Sequence, residues 1–144
     1  MKPTNKKDMK KFDLDLQYGQ IREDKIAEMF TDKKIEVKSE RGMWMKTGNI
    51  CIEYQSYGKP SGIAATESDY WFHNLCIGDD IFCPLIFDVP KLKQLIEKLD
   101  FKKSVSGGDH NASKMFLVNL QKLFSSDVIK AFKDSEDGKE NGKK

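Results

Sequence analysis

Apolar and polar positions alternate over Ile35-Glu36-Val37-Lys38 and again over Gly48-Asn49-Ile50-Cys51-Ile52-Glu53-Tyr54-Gln55, the period of a strand with one face turned to a core. These runs predict strands over residues 34–39 and 49–57, joined by the polar stretch 40–47. Ahead of them, Leu16, Ile21, Ile26, Ala27, Met29 and Phe30 recur at approximately helical spacing among charged residues, which predicts an amphipathic helix starting near Tyr18 or Gly19. Gly58-Lys59-Pro60-Ser61-Gly62 is a turn that stops the second strand. The apolar runs 69–77 and 81–89 flank Gly78-Asp79-Asp80 as a hairpin. Pro90 suits the first turn of a helix in which Leu92, Leu95, Ile96 and Leu99 run to about residue 100. A polar, Gly-rich loop over 104–113, a strand over 115–120 and a short helix over 121–132 complete the pattern. With no internal repeat, the expected fold is α/β, a mixed β-sheet flanked by helices.

At 144 residues the chain has room for one domain with a real core and not for two comfortable ones. The expected organisation is a basic flexible arm over 1–15, a single domain over 16–132 and a polar disordered tail over 133–144. With 33% charged residues, no apolar run approaches the roughly 20 residues of a membrane span. No apolar segment of signal-peptide type follows the lysine-rich start, so a soluble cytoplasmic protein without membrane contact is expected. Cys51, Cys76 and Cys83 lie in apolar segments and lack the paired spacing of a zinc site, so reduced, buried thiols are expected. The net charge of +2 does not by itself argue for nucleic acid, and the five lysines among residues 1–11 read first as a solvated tail.

Two acidic strands invite a specific chemistry. Phosphodiester hydrolysis needs an activated water, a cation to neutralise charge building on phosphorus, and a proton for the leaving oxygen. Magnesium on a few carboxylates supplies the first two, because it keeps several waters and accepts phosphate oxygens directly. Alternation along a strand points Glu36 with Lys38, and Glu53 with Gln55. If the two strands form a hairpin, two carboxylates and an ammonium converge. Glu36 and Glu53 are then the metal ligands, and Glu23 reaches the same site from the preceding helix, on the face opposite Ile21. Lys38 stabilises negative charge or orients the nucleophile.

The order of an acid-bearing helix, strands carrying acid and acid-x-lysine, a helix and a further strand resembles the PD-(D/E)XK nuclease superfamily over residues 18–120. That superfamily includes restriction enzymes, Holliday-junction resolvases and phage recombination nucleases. Tyr18-Gly19 with Glu23, Glu36-Val37-Lys38, Thr47-Gly48-Asn49 with Glu53, Gly58-Lys59-Pro60-Ser61-Gly62 and Asp69-Tyr70-Trp71 also look like small phage-type nucleases of this group. The resemblance implies a restriction-endonuclease-like core, magnesium with manganese as a substitute, a DNA substrate, and an intracellular, phage-encoded setting. Two assignments stay open. In one, Glu36-Val37-Lys38 is the acid-x-lysine and Asp32 the preceding acid, a gap of 4 residues that is tight for a hairpin. In the other, which is preferred, Glu36 is the preceding acid and Glu53-Tyr54-Gln55 the acid-x-lysine, 17 residues on. Gln55 then occupies the lysine position without charge, and the lysine's work passes to Lys38 or Lys59. A homodimer suits paired cuts in duplex or branched DNA.

Several residues have a plainer reading. His73, among aromatic and apolar neighbours, reads as a satisfied core or edge group. His110, in the loop Gly107-Gly108-Asp109-His110-Asn111, reads as a surface residue, and Asp69 as an acid ordering the turn before a strand. Candidate stacking partners for unpaired bases are Trp44, Tyr54 and Tyr57, with Arg41, Lys46 and Lys59 for phosphates. Packing of Tyr54 and Tyr57 on the sheet is the alternative. The rival functions are a noncatalytic nucleic-acid-binding or protein-interaction module on the same scaffold, which Gln55 favours, and a metal-independent structural protein.

Overall fold

The computed structural model describes residues 6–98, 101 and 103–141. The chain divides into two units, Met1–Lys34 and Ile35–Lys144. The first is a helix, α1 (Lys6–Met29), which starts well before the expected Tyr18 or Gly19. Residues 6–15 are therefore helical rather than a flexible arm, while the expectation for 1–5 lies outside the described residues. Phe12, four residues before Leu16, extends the helical spacing upstream, and side-chain pairs four apart support the helix. Gln20 donates to Asp24 at 2.9 Å, and the Arg22 guanidinium lies 4.1 Å above the Tyr18 ring. Asp32 then adopts φ 56°, a left-handed residue just past the helix end.

The second unit begins with β1 (Ile35–Glu40), followed by the short helix α2 (Met43–Thr47), β2 (Asn49–Ser56) and β3 (Lys59–Pro60). Next come the hairpin β4 (Tyr70–Ile77) and β5 (Asp80–Asp88), then α3 (Val89–Lys98), β6 (Ser104–Gly107) and β7 (Ser113–Asn119). Two helices close it, α4 (Leu120–Leu123) and α5 (Ser126–Asn141). The fold is mixed α/β, but its strands form two sheets instead of one. β1-β4-β5 makes the first, with β1 parallel to β4, and β3-β2-β7-β6 makes an antiparallel second. The loop expected over 104–113 contains β6 and a 3-10 turn over Asp109–Asn111. The expected disordered tail is helical as far as Asn141, because Ser125 restarts the chain by accepting from the Val128 amide.

The β1–β2 hairpin on which convergence of the two acids depended is not formed, and α2 lies between the two strands. Its Trp44 donates from Nε1 to the Cys76 carbonyl at 2.8 Å and stacks on Phe82 at 5.8 Å, so it anchors on the β4–β5 hairpin. Gly48, at φ 72°, ends the helix in the left-handed region that glycine accepts. The chain thus leaves one sheet and enters the other. Between them lies a core that includes Ile50, Ile52, Trp71, Leu92, Ile96 and Val118, each no more than 2% exposed. α3 buries Val89, Leu92 and Ile96, of which Leu92 and Ile96 follow the predicted spacing, while the predicted Leu99 lies outside the described residues.

A second local feature bears on Glu53. β2 and β7 pair as Glu53 with Met115 and then Gln55 with Lys114, leaving Tyr54 as the extra residue of a bulge. The 3-10 turn Gly62–Ala64 presses on this point. Gly62 has φ 50°, and a Cβ there would collide with the Glu53 carbonyl. Gly62→Ala is expected to destabilise the protein by about 2–3 kcal/mol, from a left-handed backbone and a backbone clash together; chemical denaturation checks it.

Candidate functional site

Paired residues of neighbouring strands share a face of the sheet, so the β1–β4 register decides where the acids of β1 point. Glu36 lies beside Trp71, Lys38 beside His73 and Glu40 beside Leu75. Those β4 partners are all buried. β1 therefore carries its charged residues on the buried face and leaves Val37 56% exposed on the other. This inverts the usual amphipathic strand. Inward charge on an edge strand also guards against edge-to-edge pairing.

Along this row, Glu36 and Lys38 point the same way, as alternation predicted, and their side chains approach to 3.8 Å while each keeps more than a third of its surface exposed. Glu40, at the deep end, is different. Its Oε1 accepts from the Cys51 amide at 2.6 Å and from His73 Nε2 at 2.9 Å. The indole N–H of Trp71 can only donate, and it points at His73 Nδ1 at 3.1 Å. The ring hydrogen therefore sits on Nε2, which donates to Glu40. The run Trp71, His73, Glu40 and the Cys51 amide joins β4, β1 and β2 across the gap between the sheets.

His73 is thus a buried, satisfied group, in line with its plainer reading. Neither Glu40 nor Trp71 was among the predicted site residues, although Glu40 continues the two-residue spacing of Glu36 and Lys38, and Trp71 precedes His73 by two. Burial pushes the Cys51 thiol above its ordinary pKa, and the Glu40 carboxylate adds to the rise. Cys51 is then expected to react with iodoacetamide at pH 8 several-fold more slowly than a free cysteine, because less thiolate is present. Mass-spectrometric labelling rates check this.

The other predicted residues lie elsewhere. Glu53 is on β2, in the sheet that does not contain Glu36. Gln55 does not share its face, because the bulge at Tyr54 sets the two opposite consecutive residues of β7, whose side chains alternate. Lys59 is exposed on β3, beyond the β2 turn. Glu23 belongs to α1, in the other unit. Among the described residues, no three His, Cys, Asp or Glu side chains form a group able to hold a metal ion. Within the second unit, Glu36 and Glu53 thus stand on strands of separate sheets and not on one hairpin.

The aromatic residues divide. Trp44 is held by Cys76 and Phe82, and Tyr54 stacks on Phe116 at 4.2 Å with its hydroxyl 2.7 Å from the Ser104 hydroxyl. Tyr57 is 71% exposed, in the turn rather than on the sheet. No described helix is long and apolar enough to cross a membrane. Set against models of known protein families, curated proteins and solved structures, the chain finds no match in any of the three.

Proposed function

We propose that this protein is a magnesium-dependent DNA nuclease that hydrolyses phosphodiester bonds at the open end of the β1 row, in phage-type DNA processing or recombination, on a core related to restriction endonucleases. The observation that carries the reading is the acid-lysine row of β1, with Glu36 and Lys38 3.8 Å apart on the face that carries the buried β4 partners Trp71 and His73. Magnesium uses one or two carboxylates and keeps most of its waters, so Glu36 suits such an ion without a three-residue cage, and manganese suits the same oxygen ligand. Glu53, on a strand of the other sheet, is not needed for this ion. The ion, when bound, supplies an activated water and neutralises charge on phosphorus. Of the chain's own groups, Glu36 holds the ion, Lys38 stabilises the charge that develops on the phosphate, and the His73–Glu40 bond keeps the strand beneath them in place.

The noncatalytic nucleic-acid or protein-interaction module remains the second reading, favoured by the placement of Glu36 and Glu53 in separate sheets. A plasmid-nicking assay with magnesium, run on the wild type, Glu36→Ala and Glu53→Ala beside a DNA-binding assay, separates the two. The nuclease reading expects nicking by the wild type and its loss in Glu36→Ala. DNA binding without nicking in all three proteins supports the module.

A further inference from the structure

Four non-glycine residues among those described have positive φ: Asp32, Tyr57, His110 and Asn111. Three of them meet at one end of the four-stranded sheet. Tyr57 and Gly58, at φ 49° and 76°, form the two-residue turn between β2 and β3. The Tyr57 amide donates to the Ala112 carbonyl at 3.0 Å, which ties this turn to the 3-10 turn holding His110 and Asn111 at φ 57° and 55°. Such a two-residue turn favours Asn or Asp ahead of Gly. A tyrosine there is strained, and with 71% of its surface exposed it gains little packing in return. Backbone strain concentrates where function demands it. Lys59 and Lys114 flank the turns, both exposed, and Asp109 is the one acid in the two turns.

We infer that this end of the sheet holds an unpaired nucleic-acid strand, with Tyr57 and His110 stacking on bases and Lys59 and Lys114 meeting phosphates. The choice of ligand rests on the proposed DNA-processing function. Stacking on aromatic rings between cations is the chemistry of single-strand binding, and it tolerates any base sequence. Tyr54, three residues earlier, is occupied by Phe116 and Ser104 and does not compete for this role.

The test measures fluorescence anisotropy of labelled oligo(dT), oligo(rU) and a blunt DNA duplex with the whole chain, alongside thermal melting. The wild type is expected to bind single strands more tightly than duplex, and the two oligonucleotides show whether the sugar matters. Tyr57→Asn is expected to melt about 2–4 °C higher, since the turn loses its strain, yet to bind oligo(dT) about tenfold more weakly. Lys59→Glu combined with Lys114→Glu weakens binding and flattens its salt dependence. Unchanged oligo(dT) affinity in Tyr57→Asn, or no single-strand binding by the wild type, overturns the inference. Plasmid nicking by the wild type judges the nuclease reading separately.

Discussion

Replacing Glu40 with alanine is expected to lower the stability of the fold by about 3 kcal/mol, while Glu40→Gln costs about 1 kcal/mol. Both donors at this position, the Cys51 amide and His73 Nε2, use the same oxygen, Oε1. Alanine strands both, and a buried donor without a partner costs about 1–3 kcal/mol. Some water can enter, because the Glu40 side chain is 18% exposed, which holds the sum below the maximum; His73, at 3%, has no such relief. Glutamine keeps a carbonyl oxygen able to accept both bonds and loses only the added strength of a charged acceptor. Urea unfolding of the two variants measures the contrast. Equal losses would mean that charge, rather than the shared acceptor, is what holds the two sheets together here.

The second large effect falls on activity. Lys38→Ala is expected to reduce magnesium-dependent nicking by about 10²–10³-fold, the usual cost of removing a group aimed at developing charge. Its melting temperature should stay close to the wild-type value, since the 3.8 Å pair with Glu36 is largely solvated and such pairs contribute about 0–1 kcal/mol. Lys38→Arg, which keeps the charge, is expected to recover part of the rate. Nicking undiminished in Lys38→Ala, with a normal melt, would remove this residue from the chemistry.

Much of the local structure was legible. The two-residue period of Ile50, Ile52 and Tyr54 marked β2, the spacing of Leu92 and Ile96 marked α3, and Gly78-Asp79 marked the β4–β5 turn. Glu36 and Lys38 share a face as their spacing required. What failed was pairing. Period gives the faces of a strand but not its neighbours, and β2 pairs in another sheet after α2, whose Trp44 is anchored on Cys76 and Phe82. The bulge at Tyr54 is equally silent in sequence, and it undid the inference that Gln55 follows Glu53. Helix α1 was missed upstream because its lysines look like a tail, while Phe12 carries the stripe of Leu16 back through them. Glu40 continues the spacing of Glu36 and Lys38, but at a strand end a carboxylate reads as surface.

The most direct test of the central idea, that the inward row of β1 presents a divalent-cation site at Glu36, is paramagnetic broadening by manganese in amide NMR spectra of the full chain. Resonances of Glu36, Val37 and Lys38, with Trp71 beside them in register, are expected to broaden at the lowest manganese concentration, and Glu36→Ala should abolish the effect. Broadening that starts at another acidic position and leaves β1 sharp, or that persists unchanged in Glu36→Ala, would contradict it.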